Sequence, residues 1–239
     1  MLLRRTVLAL PLLAVARPAW AADVGPEPKA PHVPRLTAAT VAGLGRGGSR
    51  QLVVVQAVGQ TAVLTAWHFT DTWQRELGPW PVWVGLKGVA TPGRKREGDL
   101  ETPSGVFGLT FAFGTRDLRG RTGLRTRRIT GPWDCWVDDP SSPAYDRWVD
   151  RRTVPASWTR HSESLPRYDR AVAINANPHH TPGRGSAILV HVSRGRPTVG
   201  CVSVDTHRLD RLLRWLSKDQ IPHIAIGTPS NLTLMSGSG

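Results

Sequence analysis

A succession of short apolar runs, each closed by glycine or proline, limits what this chain can fold into. QLVVVQAV (51–58) and TAVLTAWHF (61–69) are rich in β-branched residues and are separated by Gly59-Gln60, which reads as a hairpin. PVWVGL (81–86), GVFGLTFAF (105–113), YDRAVAIN (168–175), SAILVHVS (186–193) and PHIAIG (222–227) continue the pattern. Runs this short and this punctuated do not build a helical bundle. They predict a mainly-β sandwich or barrel. One segment has a different period. In DTHRLDRLLRWLSK (205–218), Leu209, Leu212, Leu213 and Leu216 recur at i, i+3, i+4 and i+7, which predicts one principal C-terminal helix with a buried leucine face. Asp205 precedes it as an N-cap, since a carboxylate accepts from the free N–H groups of a first helical turn.

The flanks are less regular. Residues 1–21 have a basic start at Arg4 and Arg5, an apolar run and the small-residue site Ala19-Trp20-Ala21, which reads as a secretory signal peptide. That run is too short to span a bilayer, so no membrane span is expected after cleavage. Residues 22–49, rich in Pro, Gly and Ala, read as a flexible arm. The domain then occupies 50–227, and 228–239 read as a flexible tail ending in Ser-Gly-Ser-Gly.

Export gives the charge a meaning. Removing Arg4, Arg5 and Arg17 lowers the formal net charge from +13 to +10, so the mature chain stays strongly basic. A basic exported protein meets the anionic polymers of a cell envelope. Nucleic acid, the usual partner of a basic chain, does not fit that compartment. The periplasm or the extracellular envelope is the expected location. The chain has two cysteines, Cys135 and Cys201, which could pair in an oxidising compartment.

Cys201 lies in TVGCVSVD, ten residues after His191 in AILVHVS. A nucleophilic thiol needs a base, because the thiolate attacks and a free thiol has a pKa of about 8.5. A strand–loop–strand return brings His191 beside Cys201. Gly200 allows close backbone approach, so N–H groups there could form an oxyanion hole. The plainer alternative makes Cys201 a small buried hydrophobe and His191 a core residue. Cys135, in WDCWVDD, has no histidine close in sequence and reads as structural. His179-His180 with His191 and Cys201 could suggest zinc, but adjacent histidines point to different sides of a strand, so neither a metal nor a cofactor is expected.

TVGCVSV with an upstream VHVS resembles the active-site segment of the L,D-transpeptidase family, the YkuD-like catalytic domain. REGDLETPSGVFGL (96–109) is similar to that family's Gly-Asp…Thr-Pro-x-Gly-x-Phe segment, represented here by Gly98, Asp99, Thr102, Pro103, Gly105 and Phe107. DCWVDDPSSPAYDRWV (134–149) looks like a segment of an exported subgroup. Two positions depart from the pattern. Val199 stands where the family usually has a second histidine, and Ser203 where many members have an arginine.

The resemblance implies remodelling of peptidoglycan, with tetrapeptide stems as donor and neighbouring stems as acceptor. Cys201 would attack the carbonyl of the diamino-acid residue and expel D-alanine, leaving a thioester that an amine resolves. His191 would carry the proton, the Val192 carbonyl would orient its ring, and the N–H of Gly200, with that of Cys201, would hold the oxyanion. Asn175, Arg184, Thr198 and Ser203 are the expected substrate contacts. Carbapenems would acylate the cysteine and penicillins would do so poorly, at a rate rising around pH 6 to 7 if His191 titrates near its reference value. Two alternatives stay open. Water in place of the amine would make an L,D-carboxypeptidase, and a silent glycan-binding module would use tryptophans and surface arginines.

Overall fold

The computed structural model describes residues 25–237. The signal peptide read at 1–21 lies outside these residues. The domain is mainly β. Its strands are β1 Gln51–Val58, β2 Thr61–Phe69, β3 Trp73–Trp83, β4 Gly105–Gly114, β5 Arg125–Arg128, β6 Asp134–Val137, β7 Trp148–Asp150, β8 Ser162–Ser164, β9 Ala171–Ile174, β10 Leu189–Val192, β11 Val202–Val204 and β12 His223–Gly227. The helices are α1 Ala38–Leu44, α2 Thr206–Trp215 and α3 Pro229–Ser236.

The main sheet runs β12-β1-β2-β3-β11-β10-β9-β4-β5, and β12 also pairs with β4. That second pairing turns the sheet back on itself as a barrel-like sandwich. The β11–β3 seam is thin, with Ser203 opposite Trp83 as its single register pair. A separate three-stranded sheet, β7-β6-β8, packs outside the barrel.

Strand parity explains the continuous apolar run of β1. Successive side chains point to opposite faces, and here both faces are covered. Val53, Val55 and Ala57 enter the barrel core with Leu209, Leu212, Leu213 and Leu216. The predicted helix therefore plugs the barrel with its leucine face. Its Asp205 cap accepts from the N–H groups of His207 (2.8 Å) and Arg208 (3.2 Å). Leu52 and Val54 point the other way and meet Val41 and Leu44 of α1 and Leu232 of α3.

That outer layer corrects the reading of both flanks. Residues 38–44 of the expected arm are helical with Val41 and Leu44 fully buried, and residues 229–236 of the expected tail are helical with Leu232 buried. The cause is the apolar outer face of β1 and β12, which water would otherwise meet. The ends of both helices are specified locally. Thr37 and Thr228 cap them by accepting from Thr40 N–H (3.1 Å) and Asn231 N–H (3.2 Å). Leu44→Ala is accordingly expected to lower the unfolding free energy by about 2–5 kcal/mol, as for other buried leucines. Denaturant unfolding measures it, and an unchanged midpoint would return this segment to a loose arm.

The third cluster positions the site. Phe113, Leu165, Ala171, Ala173, Leu189 and Cys201 pack on the barrel's other face, against Phe111, Trp136, Trp148 and Tyr168. Trp136 and Trp148 come from the small outer sheet. Their indole N–H groups donate to Asp146 and Asp134, each at 2.8 Å.

Candidate active site

Strands β10 and β11 are parallel neighbours with Val190 opposite Val202, His191 opposite Ser203 and Val192 opposite Val204. The valines face the barrel core. Alternation therefore sends His191, Ser203 and Cys201 to the opposite face, beneath the outer sheet. His191 and Cys201 line one cavity of about 160 Å³ together with Tyr168, Arg167, Arg194 and Arg196. A second cavity, of about 80 Å³, shares Cys201, Glu163, Tyr168 and Val199 with the first and extends to Gly200 and Ala187. Cys201 is 6% exposed. The site is thus a buried thiol lining two small adjoining chambers rather than the end of an open cleft.

The backbone around Cys201 is held by two threonines. Thr198 Oγ1 donates to the Cys201 carbonyl at 2.7 Å and accepts from Gly200 N–H at 3.2 Å. Thr102 Oγ1, fully buried, donates to the same carbonyl at 3.0 Å and accepts from Gly85 N–H at 2.8 Å. The upstream segment 96–109 therefore braces the cysteine loop through Thr102. Asp99 shapes that segment by accepting from the N–H groups of Arg96 (2.7 Å) and Glu101 (2.9 Å) and by pairing with Lys95. Burial alone would raise the Asp99 pKa, but these bonds outweigh it and hold the carboxyl below its ordinary value. Gly200 has φ +147°, and a Cβ there would lie 3.2 Å from the Glu101 carbonyl oxygen, so a side chain at this position would crowd the 96–109 segment.

The imidazole is fixed from two sides. Its Nδ1 lies 2.8 Å from the Val192 carbonyl oxygen, so Nδ1 carries the proton and Nε2 is the free base. Tyr168 meets the ring edge to face at 5.4 Å, and its hydroxyl donates to Glu163 at 2.9 Å. Burial pushes His191 down to about 4, with Arg194 adding to the shift. Burial also pushes the Cys201 thiol up to about 12, with Glu163 adding and the Leu189 N–H opposing. Both groups are therefore neutral at pH 7. Cys201 Sγ contacts the Ala187 carbonyl oxygen at 3.4 Å, and both cysteines are free.

The structure sorts the expected substrate contacts. Ser203 lines the cavity with Cys201 and His191, 1% exposed and with its hydroxyl unpaired. Thr198 borders it too, but its hydroxyl is spent on the cysteine loop. Gly200 N–H likewise points to Thr198 rather than into space, since a threonine two residues upstream closes a tight turn there. Asn175 and Arg184 are not at the site. Asn175 follows β9 and donates its backbone N–H to the Gly108 carbonyl, while Arg184 reaches away to the Gly93 carbonyl at 2.8 Å. The sequence gave no role to Tyr168 or Glu163 and did not show that Thr102 would hold the cysteine loop. Tyr168 stood in an expected strand, and the Thr-Pro pair at 102–103 was the available sign for Thr102.

A family model described as the L,D-transpeptidase catalytic domain, YkuD, matches residues 54–229. The chain belongs to this family. Among solved structures it is similar to the helical cell shape determining protein Pgp2 from Campylobacter jejuni, at 14% identity and a TM-score of 0.36. That match covers 82% of this chain and 59% of Pgp2, so the chain spans less than two thirds of that protein. No curated protein matches. Among the described residues of this L,D-transpeptidase-family chain, no helix is long and apolar enough to cross a membrane.

Proposed function

We propose that this protein is an exported peptidoglycan L,D-transpeptidase that works through a thioester on Cys201. The observation that carries the reading is the pairing in one cavity of a buried thiol and an imidazole whose Nδ1 is committed to the Val192 carbonyl. That bond leaves Nε2 to take the thiol proton. Because both groups rest neutral, the thiolate forms as the substrate carbonyl arrives, and the new charge passes to the oxyanion rather than staying in a dry pocket. The Cys201 N–H is the donor we assign to that oxyanion. Gly200 N–H joins it on leaving Thr198, to which it is held by a long 3.2 Å bond.

The donor is a tetrapeptide stem, and its terminal D-alanine carries a carboxylate. Arg167, Arg194 and Arg196 line the cavity next to His191 and suit that charge. They supply positive charge where Ser203 replaces the family's usual arginine. His191, once protonated, gives its proton to the departing D-alanine amine. The basic surface of the chain holds the anionic envelope polymers around the substrate.

A carbapenem tests the chemistry without a natural substrate. It is expected to add once per chain, at Cys201, while a penicillin adds slowly. Intact-mass spectrometry with peptide mapping reads the outcome. No adduct, with Cys201 verified as a free thiol, would favour a silent envelope-binding module instead.

A further inference from the structure

The two chambers beside Cys201 differ in charge. Glu163 lines both. The first adds Arg167, Arg194 and Arg196, and the second adds Glu97, Asp138 and Lys95. Glu163 is paired with Arg167 at 2.9 Å. Glu97 accepts the Tyr145 hydroxyl at 2.6 Å, yet among the described residues neither Glu97 nor Asp138 has an ion pair with a base. Lys95 is the one cation lining this chamber, and its ammonium is taken by Asp99. Burial, and then the like charges of Glu97 and Glu163, push the Asp138 carboxyl up, with His161 opposing. The chamber therefore places two carboxyl groups, Glu97 and Asp138, beside the thiol without an ion-paired base among the described residues.

Ser186 points to a ligand independently. It lines the same chamber, is 8% exposed, and its buried Oγ has no hydrogen-bond partner. A buried hydroxyl left unpaired is costly, and such groups mark a missing partner. Among the described residues no three His, Cys, Asp or Glu side chains come close enough to hold a metal ion. A molecular cation fits better, and about 80 Å³ admits an ammonium on its methylene arm but not a whole stem.

We propose that this acidic chamber is the acceptor subsite, where Glu97 and Asp138 bind the ammonium of the incoming side-chain amine and Ser186 Oγ accepts a third hydrogen bond. The inference rests on the thioester reading for its place in the reaction. In that step the amine nitrogen bonds to the thioester carbon and the C–S bond breaks. The ammonium gives up two protons. One passes to a carboxylate of the chamber and on to solvent, and the other ends on Cys201 Sγ. Water gains nothing from carboxylates placed to hold positive charge, so the site favours amide formation over hydrolysis.

The test uses Cys201→Ala protein, which forms no thioester. Calorimetric titration compares a tripeptide stem bearing a free side-chain amine with the same stem acetylated on that amine. The free amine is expected to bind at least about 10-fold more tightly, the difference made by one charge-assisted contact. Glu97→Gln with Asp138→Asn should reduce that gap to less than about 3-fold, and Asp138→Asn alone should narrow it with the Tyr145–Glu97 bond intact. Equal affinity for the two stems overturns the proposal, as does an undiminished gap in both carboxylate variants. The two readings fail separately. Amine preference in a protein that never forms a thioester keeps the subsite and removes the enzyme reading. A thioester without amine preference does the reverse.

Discussion

Cys201→Ser and His191→Ala are each expected to lower D-alanine release from a tetrapeptide stem by at least about 10³-fold. A serine hydroxyl has no accessible anion at neutral pH, and His191 is the imidazole lining the thiol's cavity, the base of the proposed mechanism. Alanine at 191 leaves a thiol whose pKa is pushed up to about 12 with nowhere to send its proton. In the proposed mechanism the two groups act as a unit, so the double variant should be little worse than either single one. Cys135→Ser should keep its activity, because Cys135 is buried in β6 of the outer sheet and lines neither chamber at Cys201. Chromatographic assay of released D-alanine decides the matter. Full activity in Cys201→Ser, or loss confined to Cys135→Ser, would move the chemistry to the other cysteine.

The acid limb of the pH profile should lie well below the range a free histidine would give. Burial lowers His191 to about 4, so the base form persists through pH 5 and 6. The acylation rate should be level there and fall about 10-fold per pH unit only below about pH 4. This replaces the limb at pH 6 to 7 that a reference histidine implies. Stability follows the same group. The unfolded chain binds the proton near pH 6.5 and the folded one near 4, so stability rises with pH across that window. Below pH 4 the loss from this group is on the order of 3–4 kcal/mol at most. At high pH the sign reverses. The folded thiol keeps its proton to about 12 while the unfolded one loses it near 9, so stability falls above pH 9. Stopped-flow acylation and pH-dependent melting measure the two effects. A rate limb centred near pH 6.5 would show an imidazole in contact with water.

The residues differed in how much of this they announced. The barrel strands were legible as short β-branched apolar runs closed by glycine or proline, and α2 because its burial is periodic, as in Leu209, Leu212, Leu213 and Leu216. That His191 and Cys201 line one cavity follows from β10 and β11 being parallel neighbours, a return the short strands of this stretch suggested. α1 and α3 were not, since each buries few apolar side chains and is helical because the outer face of β1 needs cover. The outer sheet was also hidden. β6, β7 and β8 are three or four residues long, too short to show alternation. Asn175 and Arg184 were misplaced because a Pro/Gly-rich loop gives no signal of where its side chains land. Conversely Glu97, Asp138 and Ser186 come together only through the tertiary fold, from three separate loops.

The most direct measurement is rapid-quench intact-mass spectrometry of the protein mixed with a tetrapeptide stem. The account predicts a transient species heavier by the stem less D-alanine, mapped to Cys201 and discharged by an added amine. It should be absent from Cys201→Ser. D-alanine release with no covalent species, or the same mass on Cys135, would contradict it.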